Sequence, residues 1–352
     1  MLSPIPSSVA ELTPAWFSEI FDADVTAVEV LDAHSGTTGR ALVRLESSSS
    51  EIPATAFVKL RPFDPDQHAF LTMVGLGVSE AQLYASVGGE LPVRVPGVYH
   101  SACQQADGSF IMVLEDLTAS GCRFCSAEDD DVVGVAESLM DELALLHGAY
   151  WGQDLSWLAT HAMTPSSGPD QAEKQKMGAM IVQSALDQFS ATMPPTFSAL
   201  GEFYVQRHAD IVALGLEGDR TLIHGDSHIG NLFVDNGRTA FYDWAAAMRL
   251  PGMRDVAYFF CNSLPTEIRR AEENALLARY RGSLGAQGIV LSDEQVHDQY
   301  RIFAVSSWIA ATTTAAMGSK WQPAEVAMRA TQRATQAIED LGVVDFLHER
   351  IS

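Results

Sequence analysis

The 352-residue chain sets 22 Lys and Arg against 45 Asp and Glu, a formal net charge of −23, and 47% of its residues are hydrophobic. That is enough apolar side chain for real cores, and the length suits two packed lobes better than one ordinary domain. The negative field repels polyanions, which excludes nucleic acid and anionic lipid surfaces as expected partners.

Residues 1–10 lack the basic start and apolar run of a signal peptide, and no stretch reaches the roughly 18 apolar residues of a membrane helix. A soluble, cytoplasmic protein is therefore expected. Cys122 and Cys125 form a lone C-x-x-C with no second ligand pair at zinc-site spacing, so they read, with Cys103 and Cys261, as reduced thiols.

Thr13-Pro14 ahead of Ala15-Trp16-Phe17 supplies a cap, a first-turn proline and an amphipathic start, which predicts a short helix. Strand-like runs follow at 25–31, 41–45 and 55–60, with a hairpin-like glycine loop at 35–39 between the first two. Residues 79–87 have helical spacing, and 95–99 and 110–114 read as further strands. From Ser126 the pattern turns helical. Ser126, Glu128 and Asp129 suit the capped, acidic first turn of a long helix reaching about Tyr150. A loop is expected at 165–169. The boundary between lobes is placed near 117–121, dividing the chain into 1–117 and 118–352.

Residues 221–243 break the helical character. Two short strands, 232–235 and 238–242, flank Asn236-Gly237, the strongest two-residue hairpin signal because both positions take positive φ. Counting back from the turn pairs Val234 with Thr239 and Leu232 with Phe241. Asn231 then falls opposite Tyr242 and Asp243 opposite Gly230, so both stand at the open end, where loop 224–230 enters. Oxygen ligands from Asn231 and Asp243 suit magnesium. Asp226 is then left to orient a hydroxyl and take its proton.

The run His224-Gly225-Asp226-Ser227-His228-Ile229-Gly230-Asn231, with Asp243-Trp244 after it, resembles the H-G-D-x-H-x-G-N loop and metal-binding aspartate of the aminoglycoside phosphotransferase and choline kinase superfamily. The resemblance extends over roughly 31–260. It implies an α+β, bilobal protein-kinase-like fold, with an N-terminal antiparallel sheet lobe that binds nucleotide and a mainly helical C-terminal lobe. It implies ATP as phosphate donor, with GTP left open, Mg2+ as cofactor, and a small-molecule hydroxyl as acceptor.

By the same resemblance Asp226 is the catalytic base, and Asn231 and Asp243 are the metal ligands. Lys59 holds the α and β phosphates and Glu80 pairs with it. Gly36, Thr37, Thr38 and Gly39 form the phosphate loop, here without the G-x-G-x-x-G of protein kinases. Glu115 and Leu117 form the hinge that meets adenine, and Asp255 braces the catalytic loop. His147 reads as a core histidine. The connection from Asp243 to Asp255 is too short for a peptide-docking segment, which points to a small acceptor; the acidic chain weakly favours a cationic one. Two other readings stand beside this one: a metallohydrolase using His224, Asp226 and His228, and a nucleotide-binding relative without catalysis.

Overall fold

The computed structural model describes residues 5–165, 169–318 and 323–351, so part of the loop expected at 165–169 lies outside the described residues. The elements run α1 (Pro14–Phe21), β1 (Val25–Ser35), β2 (Gly39–Ser47), β3 (Thr55–Leu60), α2 (Pro65–Val74), α3 (Leu76–Val87), β4 (Val98–Gln104) and β5 (Ser109–Glu115). Then come β6 (Arg123–Phe124), α4 (Val132–Ala149), α5 (Pro169–Phe189), α6 (Pro195–Leu214), β7 (Thr221–Ile223), β8 (Leu232–Asp235), β9 (Arg238–Phe241) and β10 (Met248–Leu250). The chain ends in α7 (Met253–Asn262), α8 (Thr266–Gly285), α9 (Asp293–Ala316), α10 (Ala324–Asp340) and α11 (Val343–Arg350). They form two compact units, one of Met1–Phe124, Asp154–Thr164 and Phe233–Met248, the other of Cys125–Gln153, Pro165–Leu232 and Arg249–Ser352. Whereas the sequence suggested a single cut, the first unit takes in two later segments, one of them holding most of the Asn-Gly hairpin.

The first unit is built on a five-stranded antiparallel sheet, ordered β1-β2-β3-β5-β4. Alternation along the strands sorts its two faces. Ala41, Val43, Ala56, Val58, Ile111 and Val113 turn to one side and join Trp16 and Phe17 of α1 in a hydrophobic core. Arg40, Leu42, Phe57, Lys59 and Leu114 turn to the other and line a cavity. Thr13 caps α1 as expected, its hydroxyl accepting from the Trp16 amide at 3.3 Å.

One segment left unassigned by the sequence gains an element, and two local expectations change. Residues 65–74 form α2, started by Asp64, whose carboxylate accepts the Gln67 amide at 2.9 Å, and by Pro65 at the first position. The strand expected at 95–99 begins at Val98 instead. The long helix starts at Val132, not near Ser126, because Ser126 closes a separate turn with Asp129, whose carboxylate accepts the Ser126 amide at 2.9 Å.

The second unit is mainly helical. Its interior holds Trp308 against Phe197 (ring centroids 5.2 Å apart) and Phe260 edge-on to Tyr300 (5.6 Å). Arg269, fully buried, is neutralised by Glu273 and Asp340, and Glu273 also accepts from the Tyr300 hydroxyl. The Asn-Gly hairpin is as expected: Asn236 and Gly237 have φ of 51° and 79°, and β8 and β9 are neighbours in a short sheet. Among the described residues no helix is long and apolar enough to cross a membrane, and none of the four cysteines is joined in a disulfide.

Candidate active site

The expected site residues fall into two sets, each inside one unit. In the first, Lys59 sits in central strand β3 with 4% of its surface exposed. Its ammonium lies 2.5 Å from Glu80 Oε2 on α3 and 3.1 Å from Asp243 Oδ1. Burial works against the charged lysine, but the carboxylates of Asp243 and Glu80 outweigh it and hold the ammonium above its ordinary pKa. Burial also pushes the Glu80 carboxyl up, to about 7, against the opposing pull of Lys59. Asp243 adopts φ 63° and ψ 65°. That left-handed backbone is uncommon for a residue with a side chain and concentrates at functional sites.

These side chains face a cavity of about 300 Å³ whose inner wall is apolar, with Leu42, Phe57, Leu114 and Leu117. Glu115 also lines it, but its carboxylate is already engaged: Arg94 Nη2 and the Gly97 amide both reach it at 2.8 Å. The Glu115 amide donates to the Gly97 carbonyl and the Leu117 carbonyl accepts from Cys122. Asp116 pins the same turn, accepting from the Thr55 hydroxyl and from the Thr118 and Ala119 amides.

The loop at 36–39 joins β1 to β2. None of Gly36, Thr37, Thr38 and Gly39 lines this cavity. A Cβ on Gly39 would stand 2.4 Å from the Arg61 carbonyl oxygen, so this glycine answers to close chain packing. Thr38 does keep a buried hydroxyl without a hydrogen-bond partner.

The sequence reading missed Arg40. It is the direct cross-strand partner of Lys59, lines the same cavity, and places Nη2 3.8 Å from Asp243 Oδ2. Alternation held the clue, since Arg40 shares the phase of Leu42.

The second set is the loop 224–231. It follows wholly buried β7 and is tied down by Asp255 of α7, which is itself fully buried. Asp255 Oδ2 accepts the His224 amide at 2.7 Å and Oδ1 the Gly225 amide at 2.9 Å, while its carbonyl accepts from the Ser227 hydroxyl at 2.8 Å. Gly225 has φ 82°, a conformation that suits glycine.

His147 is fully buried, as read. Its Nε2 lies 3.3 Å from Asp255 and its Nδ1 2.8 Å from the Tyr280 hydroxyl. Burial pushes the Asp255 carboxyl up, but hydrogen bonding and charge from His147 outweigh it and leave the pKa below the ordinary 3.8. The stabilisation it brings is therefore present above the ordinary value and lost as pH falls through the lower folded value. Asp255→Asn strips an acceptor from the loop amides. It is expected to destabilise the chain by about 2 kcal/mol, measured by urea unfolding at pH 7; unchanged stability would remove the bracing role.

On the loop itself, Asn231 Nδ2 donates to the Asp226 carbonyl at 2.9 Å and to Asp226 Oδ2 at 3.0 Å, which turns its own Oδ1 away from these bonds. Asp226 is 37% exposed at its side chain, open enough to meet a substrate. His228 Nδ1 accepts the Gly230 amide at 3.0 Å, so the neutral ring carries its proton on Nε2, 3.7 Å from Asp226 Oδ2. His224, fully buried, accepts the Asp226 amide at Nδ1. Among the described residues no three His, Cys, Asp or Glu side chains are arranged to hold a metal. The zinc-hydrolase reading has no ligand cluster to stand on.

The model of a family described as phosphotransferase enzymes (APH) matches residues 35–303. The chain belongs to this family. The phosphotransferase fold recurs in solved structures that share little sequence with it. A choline kinase from Cryptosporidium parvum Iowa II superposes with a TM-score of 0.56 at 12% identity, covering 94% of each chain. A Plasmodium vivax ethanolamine kinase gives 0.51 at 12%, covering 88% of this chain and 81% of that one. A thermostable mutant of aminoglycoside phosphotransferase APH(4)-Ia, in ternary complex with ADP and hygromycin B, gives 0.50 at 14%, covering 94% and 98%. No curated protein matches the chain in sequence. The architecture is therefore protein-kinase-like, an antiparallel N-terminal sheet followed by a helical C-terminal part.

Proposed function

We propose that this phosphotransferase moves the γ-phosphoryl group of ATP, with GTP left open as donor, to a hydroxyl of a small molecule. The observation that carries this is the buried Lys59 ammonium held between Glu80 and Asp243 on the wall of a cavity with an apolar interior. Such a pocket accepts a flat aromatic base at one end and polyphosphate charge at the other. The Glu115 amide and the Leu117 carbonyl are occupied, so the base is assigned to the Glu115 carbonyl and the Leu117 amide.

Asp226 accepts the acceptor's proton, while Asn231, bonded to it, fixes its orientation. The oxygen set of Asn231 Oδ1 and the Asp243 carboxylate suits Mg2+, which tolerates few protein ligands because it keeps waters and phosphate oxygens. When bound, that ion neutralises charge on the transferring group. The short chain from Asp243 to α7 supports a small acceptor. The test is coupled ADP release across sugars, amino alcohols, hydroxy acids, macrolides, aminoglycosides and hydroxylated lipids. Nucleotide binding without release on any of them would leave the non-catalytic reading in its place.

The charge of −23 poses a problem for an anionic donor, and Arg40 answers it locally. Two cations directly across an antiparallel pair repel over a Cβ separation of about 5 Å, unless anions lie between them. Asp243 reaches both, 3.1 Å from the Lys59 ammonium and 3.8 Å from Arg40 Nη2, and polyphosphate would serve in the same way. Within a screening length of about 8 Å the nearby pair outweighs distant acids. Arg40→Ala is expected to raise KM for ATP about tenfold with a smaller fall in kcat, and Arg40→Lys to recover part of it. Steady-state kinetics with ATP varied checks this; an unchanged KM would remove Arg40 from the nucleotide site.

A further inference from the structure

The helix that braces the catalytic loop carries a second polar face. Arg254, Tyr258 and Asn262 lie at successive i, i+4 positions of α7, one above another. The Arg254 guanidinium stacks 4.9 Å from the centre of the Tyr258 ring. The Tyr258 phenol lies beside the Asp226 carboxylate and the Asn262 carboxamide. This face therefore leads from the base to a cation within one side chain of it. Burial, and then the Asp226 charge, push the phenol well above its ordinary pKa, so it stays neutral beside the base.

Two polar atoms on this face are unused. Arg254 Nη1 and Asn262 Oδ1 are shielded from solvent and have no hydrogen-bond partner. Leaving such groups unmade is unfavourable, most of all for a charged donor. Asn231 and His228 flank Asp226, Tyr258 lies beside it, and Arg254 stacks on that ring, so this face of α7 brings a permanent positive charge toward the base. A guanidinium is shaped to take a carboxylate or phosphate through two parallel bonds, and it repels an ammonium.

We propose that the acceptor is a hydroxy-compound bearing an oxyanion, a carboxylate or a phosphate, which Arg254 binds while the hydroxyl meets Asp226. This rests on the phosphotransferase reading and deepens it. It also reverses the expectation drawn from overall charge, because the acceptor meets the charges beside the base and not the average over the surface. In the step, the hydroxyl oxygen forms a bond to the γ-phosphorus, the bond from that phosphorus to the bridging oxygen breaks, ADP leaves with that electron pair, and the hydroxyl proton passes to Asp226. Arg254 touches the acceptor away from the reacting atoms and acts as a specificity residue.

The test uses the full chain and acceptors matched in skeleton but not in charge. One series is glycerate, glycerol 3-phosphate, glycerol and 3-amino-1,2-propanediol; another is glucuronate, glucose 6-phosphate, glucose and glucosamine. The expected result is a kcat/KM at least tenfold higher for anionic members than for neutral ones, and lowest for cationic ones. Arg254→Ala should cost anionic members about 10- to 100-fold, expressed in the acceptor KM, and level the series, while Arg254→Lys keeps part of the preference. Circular dichroism and calorimetric ATP affinity show whether the variants fold. Turnover led by cationic members, a ranking unmoved by Arg254→Ala in a folded variant, or a loss confined to the KM for ATP each overturns the inference and leaves the phosphotransferase reading standing. ATP bound with no ADP released on any member, nor across the wider panel, overturns both.

Discussion

Asp226→Asn is expected to lower kcat about a thousandfold while calorimetry still detects ATP binding. The substitution keeps the size of the side chain and removes the charge proposed to take the hydroxyl proton. Asp226 receives hydrogen bonds at both its carbonyl and its carboxylate from one amide, Asn231 Nδ2. The loop beneath it hangs on Asp255, so the backbone has no cause to move. A fall in kcat with an unchanged affinity for ATP separates the base from a merely structural aspartate, which would weaken folding and binding together. Turnover within a few-fold of the unaltered chain would end its assignment as base. Any proton acceptor would then have to be sought elsewhere on the loop.

Lys59→Met has two expected effects that must be separated. ATP use should collapse, with kcat/KM down about a hundredfold or more, because the buried cation facing the cavity is gone. The chain should also lose stability, by roughly 3 kcal/mol, since Glu80 is left buried without its partner at 2.5 Å. The double variant Lys59→Met/Glu80→Gln removes that stranded charge. It should recover much of the unfolding free energy in urea and none of the activity. Recovery of both would mean that the pair serves folding alone; recovery of neither would mean that Asp243, 3.1 Å from the ammonium, dominates the coupling. Lys59 stays charged throughout the physiological range, because Glu80 and Asp243 together hold its pKa up against burial.

Several parts of the fold were legible because their signals are local. Asn236-Gly237 specifies positive φ at two adjacent residues, and the hairpin forms there. Thr13-Pro14 fixes the start of α1, and the runs at 41–45 and 55–60 read directly as strands, each with one face in a core. Where local signals compete, reading failed. Ser126 and Asp129 satisfy each other in a turn that looks, in sequence, like a helix cap. Asp64-Pro65 starts α2 although the apolar spacing of 65–74 is weak, with Leu71 its one buried side chain.

The sequence by itself determined the chemistry on offer: a loop with Asp226 and Asn231 five residues apart, a strand lysine, and membership of a phosphotransferase family across 35–303. Tertiary structure decided which of these groups meet. The Lys59 pairs with Glu80 and Asp243 span 21 and 184 residues, and Asp255 grips the loop across 31 and 30. Folding also chose partners that no motif names: Arg40 across from Lys59, Tyr280 behind His147, and Arg254 stacked on the tyrosine beside the base. Backbone preferences and caps act over about four residues, so a sequence states them openly. Charge acts through space with a reach of about 8 Å in salt, so what an acidic chain attracts depends on which few side chains packing brings to one place.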